Sequence, residues 1–166
     1  MISTREYGQD DWEGICLVHD LARPQELEGS CDRRAFIPLA IDPSDQANAL
    51  ESRKWVAVDD DADDRIVGFV GVNDSYLSWL YVDPAYHRQG IGRRLLRLGL
   101  AMAGPKAWTI CLAGNEPALK LYASEGLAET RRWDDENAGY PCTCVRLEMG
   151  RQEGRVEDGT EEAHAR

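Results

Sequence analysis

The sequence predicts an α/β (α+β) protein, and two neighbouring stretches carry most of that prediction. Residues 54–82 hold three apolar runs separated by short polar turns, a pattern typical of a three-stranded antiparallel meander. The last run, 77–82, ends at Asp83-Pro84 and leads through a short glycine-containing loop into a helix. Four apolar residues at helical spacing predict that helix: Ile91, Leu95, Leu98 and Met102.

The residues before the meander predict one strand and an interrupted helix. Residues 2–7 alternate weakly in hydropathy and are interpreted as a first strand. Asp10 or Asp11 can cap a helix that follows. We expect Pro24 to interrupt that helix and to open a short second one, since proline is tolerated in a first helical turn. The residues from 29 to 43 include two prolines and are expected to be irregular.

The residues after the central helix predict a buried strand and a second helix. Gly104-Pro105 ends the central helix. Residues 107–112 form a short continuous apolar run, which is typical of a strand buried on both faces. Asn115 is a suitable N-cap for the next helix, and Gly126 is a suitable stop.

The end of the chain predicts two last strands and a polar tail. We expect the strands over 127–132 and 143–149, joined by a polar loop over 134–141. The residues from 150 onward are almost free of apolar side chains, so we expect them to be disordered or loosely attached. The length then suits a single domain over 1–149.

The composition favours a cytoplasmic protein that binds neither nucleic acid nor membrane. The 166 residues have a formal net charge of -11, which argues against nucleic acid as the main partner. No apolar run approaches the roughly twenty residues of a membrane span, and the N-terminal residues lack the apolar core of a signal peptide. The five cysteines match no disulfide framework or zinc motif, so we expect reduced thiols and no metal.

A cluster of arginines at the start of the central helix stands out against this negative charge. From residue 84 to residue 115 the chain contains no Asp or Glu. Each cation near a helix N-terminus interacts unfavourably with the helix dipole and destabilises the helix by about a few tenths of a kcal/mol. An anionic ligand held by the free N–H groups of the helix end would account for them, and Gly90 and Gly92 would let it approach the backbone. The cluster comprises Arg88, Arg93, Arg94 and Arg97.

Comparison with common phosphate-binding loops identifies one that fits. A Walker loop ends in Gly-Lys-Ser/Thr, whereas Gly92 here precedes two arginines. A dinucleotide-binding fingerprint requires a third glycine where Leu95 stands. The run HRQGIG at 87–92 instead resembles the Q/R-x-x-G-x-G/A loop of the GNAT (GCN5-related N-acetyltransferase) superfamily, with His87 in place of the usual Gln or Arg.

A second segment resembles the same superfamily. The run NEPALKLYASEGL at 115–127 is similar to its N-x-x-A-x-x-x-Y-x-x-x-G-F segment, with Leu127 in place of Phe. The specific motifs lie between 80 and 127. The resemblance implies the GNAT fold, a mixed and mostly antiparallel sheet of six to seven strands flanked by helices.

The resemblance also implies an activity and a set of site residues. GNAT enzymes transfer acetyl from acetyl-CoA, their cosubstrate, to a primary amine by direct attack in a ternary complex. Tyr122 matches the residue that protonates the leaving thiolate, a transfer that the ordinary pKa values of a thiol and a phenol permit. The residues implied for acetyl-CoA binding are Leu80, Tyr81, Val82, Arg88, Gln89, Gly90, Ile91, Gly92, Arg93, Arg94 and Asn115.

The sequence leaves the general base open. Many relatives place a Glu on the central strand, but 77–82 contains no acid, and Asp74 precedes it in a turn. The candidates are His19, Asp20 and Glu26 in the N-terminal helices, or a chain of waters. A covalent route through Cys111 is conceivable, although a small residue packed in a buried strand explains it better.

Several alternatives remain open at this point. Loss of the strand carboxylate suggests a non-catalytic acyl-CoA-binding regulatory module, and a nucleotide-binding protein is a weaker option. Within the enzyme hypothesis, the acceptor is a small-molecule amine or a protein amine, and a homodimer is possible.

Overall fold

All seven strands within the described residues belong to one sheet. This computed structural model describes residues 1–150, so the tail predicted from residue 150 lies, except for Gly150, outside the described residues. The strands are β1 (Ile2–Glu6), β2 (Arg53–Asp59), β3 (Arg65–Asn73), β4 (Tyr76–Val82), β5 (Trp108–Leu112), β6 (Leu127–Asn137) and β7 (Tyr140–Met149). Their order is β1-β2-β3-β4-β5-β7-β6, and only the β4–β5 pair is parallel. The predicted α/β class and its mixed, mostly antiparallel sheet are confirmed.

Helices cover both faces of this sheet. They are α1 (Trp12–Leu27), α2 (Pro43–Glu51), α3 (Ile91–Ala103) and α4 (Glu116–Ser124). Neighbouring strand residues point to opposite faces, so Val56 and Phe69 join a core with α1, while Ala57 and Val70 join a core with α3. We call these two sides the α1 face and the α3 face. Within residues 1–150, no helix has the length and apolar character that crossing a bilayer requires.

Close packing fixes the position of α3 on its face. Leu95 and Leu96 are fully buried against the sheet. A Cβ at Gly99 would lie 2.6 Å from Val70 and 2.9 Å from Leu77, so only glycine allows α3 to lie this close to β3 and β4. Gly104 ends the helix with φ of 81°, as its position in the sequence predicts.

One prediction about the N-terminal half is wrong, and one helix there was not predicted. The helix predicted to stop at Pro24 continues to Leu27, which is fully buried and holds the last turn against the core. Pro24 costs one backbone hydrogen bond, but its own carbonyl still accepts from the Glu28 N–H at 3.2 Å. Helix α2 was not predicted, although Asp42 caps it and Pro43 occupies its first position.

Two predictions about the C-terminal half are also wrong. The polar loop expected over 134–141 is instead the end of a long hairpin, in which a two-residue turn of Ala138 (φ 49°) and Gly139 (φ 82°) joins β6 to β7. The strand β5 is not buried on both faces, because Ile110 is 38% exposed. Its exposed side lines the cleft described next.

Candidate active site

The sheet opens between β4 and β5. These strands are paired in register at Tyr76 and Trp108 only, where the Trp108 N–H donates to the Ser75 carbonyl at 3.0 Å. Beyond that point β5 follows β7, with which it pairs over its full length. The gap is a cleft of about 730 Å³, a size that suits a small molecule or cofactor.

The backbone of β4 faces this cleft. The Asp83 N–H donates to the Val67 carbonyl at 2.8 Å. Hydrogen-bonded and non-hydrogen-bonded pairs alternate along an antiparallel ladder, so the backbone groups of Leu80 and Val82 point away from β3 and toward the gap. The Val82 carbonyl lies 3.2 Å from His87 Nε2, which confirms that direction. The wall therefore offers hydrogen-bonding groups to an extended, amide-containing ligand.

The N-terminus of α3 opens into the same cleft without a side-chain cap. Gly90 is its N-cap with φ of 78°, a conformation that glycine adopts without strain. The first intrahelical bond runs from the Arg94 N–H to the Gly90 carbonyl, so the N–H groups before it have no helical partner. A Cβ at Gly90 would meet nothing within 4 Å. This uncapped end fits a phosphate group, since both its dipole and its free N–H groups favour an anion.

The arginine cluster divides into two groups. Arg88 lines the cleft and has no ion pair among the described residues. Arg93 and Arg97 both pair with Glu125, at 2.5 and 3.1 Å, which lowers the pKa of that carboxyl. Arg94 donates to the Ile2 carbonyl at 2.9 Å. The chain itself therefore neutralises part of the positive charge that the sequence attributes to a ligand.

Helix α4 places two predicted residues at the cleft. Asn115 caps the helix by accepting from the Ala118 N–H at 3.4 Å, and it also lines the cleft. Tyr122 is only 7% exposed, and its exposed part lines the cleft. Burial, then the nearby Cys111 and Glu26, raise the pKa of Tyr122 well above its ordinary value. The phenol is therefore protonated at neutral pH and can donate a hydrogen bond.

The cysteine of β5 is a packing residue. Cys111 is 5% exposed, and burial raises the pKa of its thiol to about 12. A thiol with so high a pKa is a poor nucleophile at neutral pH, because the thiolate is the reactive form. Among residues 1–150, no group of three or more His, Cys, Asp or Glu side chains is arranged to hold a metal ion.

Of the three side chains considered as the general base, Glu26 is the one that lines the cleft. His19 is buried and lies with its Nδ1 2.8 Å from Asp20, which also accepts from the Leu39 N–H at 3.0 Å. These contacts give His19 and Asp20 a structural role under the α1 face. Asp74 lies in the turn between β3 and β4, with φ of 51°. Glu26 instead borders the cleft beside Tyr81.

The structure brings together nine of the twelve residues predicted for the site. Gln89, Arg93 and Arg94 do not line the cleft; the two arginines border a second hollow of about 380 Å³ on the other side of the α3 N-terminus. The nine that line the cleft are Leu80, Tyr81, Val82, Arg88, Gly90, Ile91, Gly92, Asn115 and Tyr122.

Sequence reasoning missed residues that tertiary packing brings to the cleft. Gln25 comes from the last turn of α1, Glu28 directly follows that helix, and Thr109 and Ile110 come from β5. The Thr109 hydroxyl donates to the Leu77 carbonyl at 2.8 Å, where the two strands begin to separate. The α1 residues could have been predicted at the cleft only if the helix had been expected to continue through Pro24. The proline argued against that continuation.

Comparison with known proteins agrees with this geometry. The family model described as an acetyltransferase (GNAT) domain matches residues 51–126, which include the loop before α3 and Tyr122. A protein named peptidyl-lysine N-acetyltransferase YjaB, from Escherichia coli, is 32% identical over 97 residues, or 58% of this chain and 64% of that protein. YjaB from Salmonella typhimurium is also 32% identical over 97 residues, 58% of this chain and 65% of that protein. The chain thus spans just under two thirds of the length of these relatives.

Solved structures extend the similarity to nearly all of the described chain. The solution structure of apo YjaB from E. coli has a TM-score of 0.64 and 26% identity, covering 89% of this chain and 97% of that one. A GCN5-related N-acetyltransferase from Rhodopseudomonas palustris has a TM-score of 0.73 at 17% identity, covering 89% and 94%. Arabidopsis thaliana NAA60 in complex with acetyl-CoA has a TM-score of 0.66 at 18% identity, covering 89% and 97%.

Proposed function

We propose that this chain, which belongs to the GCN5-related N-acetyltransferase (GNAT) superfamily, transfers acetyl from acetyl-CoA to a primary amine by direct attack in a ternary complex. The observation that carries the proposal is the cleft between β4 and β5. It brings the uncapped N-terminus of α3 and the protonated Tyr122 to one space, so that a ligand spanning the cleft would meet both. Residues 1–149 would act as a single domain.

The residues around the cleft suit the parts of acetyl-CoA. The N–H groups at the start of α3 would hold the diphosphate, with Arg88 adding charge. The backbone of Leu80 and Val82 would pair with the amides of the pantetheine arm, and Asn115 would contact that arm from the other side. When bound, acetyl-CoA supplies the activated acetyl thioester.

Tyr122 would assist departure of the thiolate. Attack by the amine nitrogen forms the new C–N bond and breaks the C–S bond, which leaves negative charge on sulfur. A phenol kept protonated by burial can donate to that sulfur as the charge develops. Tyr122 would then act as the acid of the reaction, while the amine proton leaves to a base or to water.

The relatives suggest which acceptor to test first. The YjaB proteins are named peptidyl-lysine N-acetyltransferases, so lysine side chains of proteins are the first acceptors that we propose for this chain. A small-molecule amine is the second acceptor class.

A cytoplasmic location is supported by five free cysteines, four of them buried. We propose neither nucleic acid nor membrane as a partner.

Calorimetry and an acetyl-transfer assay test the proposal together. Acetyl-CoA should bind with measurable heat and raise the melting temperature, and CoA should be released when a lysine-containing peptide is added. Absence of both heat and a melting shift would exclude the acetyl-CoA site.

The same assay distinguishes a second function. Strand β4 carries no carboxylate, which favours a non-catalytic acyl-CoA-binding regulatory module. Tight binding of acetyl-CoA with no CoA release for a panel of peptides, polyamines and amino acids would select that module over the enzyme.

A further inference from the structure

The cleft has an acidic side that the acetyl-CoA site does not use. Glu26 and Glu28, from the end of α1, are the two acids among the described residues that line it. Tyr81 packs with the core of the α1 face, whereas Leu80 and Val82 pack with the core of the α3 face. Because the Tyr81 hydroxyl contacts Glu26, this carboxylate enters the cleft from the α1 face, opposite the proposed phosphate site.

Two contacts hold the Glu26 carboxylate in place. The Tyr81 hydroxyl donates to Oε2 at 2.7 Å, and an Arg23 guanidinium nitrogen lies 2.8 Å from the same oxygen. Both partners are largely enclosed, and the Glu26 side chain itself is 20% exposed. Since both contacts fall on Oε2, the other oxygen, Oε1, accepts no hydrogen bond within the part of the chain that the structure describes. The group is fixed and keeps one oxygen for a ligand.

Glu26 lines the same cleft as the residues proposed for the reaction. Tyr122 and Cys111 line that cleft too, and the charge of Glu26 adds to burial in raising the pKa of both side chains. Residues from three separate elements thus surround one space: the end of α1, β5 and α4. A group bound at Glu26 Oε1 would be close to the position proposed for the thioester.

We propose that Oε1 of Glu26, with Tyr81 and Arg23 as positioning residues, binds the ammonium group of the acceptor amine. This inference rests on the proposed function and narrows its substrate class to amines that are cationic when they bind, such as a lysine side chain. Lysine is protonated at neutral pH, and a charged hydrogen bond to a fixed carboxylate favours it over an uncharged amine. The α1 face then recognises a cation, whereas the α3 face recognises an anion.

Steady-state kinetics of the full chain test the inference. We compare wild type with Glu26→Gln, using acetyl-CoA and two acceptors: a lysine-containing peptide and a weakly basic amine that is uncharged at the assay pH. Glu26→Gln should raise the KM of the peptide about tenfold, the effect of one charged hydrogen bond. The KM values of acetyl-CoA and of the uncharged amine should change less than about twofold.

Glu28→Gln is the matched control, because Glu28 is an exposed neighbour on the same wall and makes no ion pair among the described residues. It should change the KM of the peptide less than about twofold. Tyr81→Phe removes one contact to Oε2 and should raise the KM of the peptide about threefold with kcat little changed. An equal rise for both acceptors in Glu26→Gln, no rise at all, or an equal effect of Glu28→Gln would overturn the inference.

Further comparisons keep the test decisive. Glu26→Asp retains the charge and the Arg23 partner but withdraws the carboxylate, and it should raise the peptide KM about threefold while sparing the uncharged amine. If Glu26→Gln melts early, the Asp variant decides: an unchanged peptide KM contradicts the inference. Failure of wild type to bind acetyl-CoA or release CoA would overturn the proposed function as well. Normal wild-type turnover with unchanged KM values in the variants overturns this inference alone.

Discussion

The α3 face and the α1 face of the cleft are built in different ways. On the α3 face, the proposed binding groups are N–H groups of consecutive residues over 87–94, so the local chain conformation would create the site. On the α1 face, Glu26 and Tyr81 stand 55 residues apart and meet only when the sheet and α1 have packed. The comparison teaches that the proposed phosphate site depends on the backbone, whereas the proposed ammonium site depends on a tertiary arrangement of side chains. Substitutions should therefore affect the two faces separately.

The largest expected effect is at Gly92 on the α3 face. A Cβ there would lie 3.6 Å from Leu121 and 3.8 Å from Val82, which is ordinary contact, so a side chain fits. In Gly92→Glu, the introduced carboxylate lies in the first helical turn, where it interacts favourably with the helix dipole but repels phosphate. We expect acetyl-CoA affinity to fall at least about 100-fold by calorimetry, with an unchanged or higher melting temperature.

The control for this change is Gly92→Ala, which adds a methyl group without charge. It should bind acetyl-CoA within about threefold of wild type. Normal affinity in Gly92→Glu would contradict the assignment of the α3 N-terminus. Equal losses in both variants would show that bulk, and not charge, decides binding there.

Tyr122 belongs to the core of the α3 face and lines the cleft, and Tyr122→Phe tests whether the two faces serve one reaction. The variant removes the proton donor and keeps the buried ring, so kcat should fall about 100-fold while acetyl-CoA affinity stays within about twofold. Single-turnover CoA release and calorimetry measure the two quantities.

The pH profile sharpens this prediction. The ordinary pKa of a tyrosine is about 10, and burial raises the pKa of Tyr122 further, so its phenol remains protonated as the pH rises. Wild-type kcat should therefore not decline between about pH 7 and pH 9 through loss of the Tyr122 proton. An unchanged kcat in Tyr122→Phe would show that Tyr122 is a packing residue of the core and not the acid of the reaction.

A smaller effect distinguishes the arginines of the α3 face. Arg88 has no ion pair in the described chain, whereas Arg93 is held by Glu125 and Ser124. Arg88→Gln should weaken acetyl-CoA binding about tenfold, and Arg93→Gln less than about threefold. Calorimetry at low and high salt measures both. The reverse order would mean that Arg93 leaves Glu125 when the ligand binds.

The sequence predicted the α3 face well because its signals are local. The apolar run of β4, the glycines of the loop and the periodicity of α3 each depend on neighbouring residues only. The orientation of the arginine side chains was not predictable, because Glu125 and Ile2 lie far away in the chain.

Helices and strands that bury few side chains were predicted poorly, because they lack a periodic pattern of apolar residues. In α2, Ala49 is the one buried residue, so no apolar stripe marks the helix, and only its Asp42-Pro43 start was available as a signal. The end of β6 is an exposed, charged edge without hydropathy alternation. The end of α1 was not predicted, because Pro24 indicates a break in the helix. Burial of Leu27 stabilises the last turn, so the helix continues. Glu26 was therefore only one base candidate among several.

The smallest expected effect comes from Glu125, which balances the charge of the α3 face. Its two arginine partners lower its pKa, Arg97 first and Arg93 second, so it stays charged at neutral pH. Glu125→Gln should release both cations and strengthen acetyl-CoA binding about twofold at low salt. Because salt screens exposed charges, the gain should vanish near 1 M salt.

Glu129→Gln is the matched control, since it also removes an arginine partner, Arg132, but on β6 and away from the cleft. It should leave acetyl-CoA affinity unchanged at every salt concentration. Equal gains in both variants would mean that net charge alone steers the ligand. Weaker binding in Glu125→Gln would mean that Glu125 organises Arg93 and Arg97 for the ligand. A selective, salt-sensitive gain would show that the anion-binding strength of the α3 face is set partly by a carboxylate of α4's C-cap.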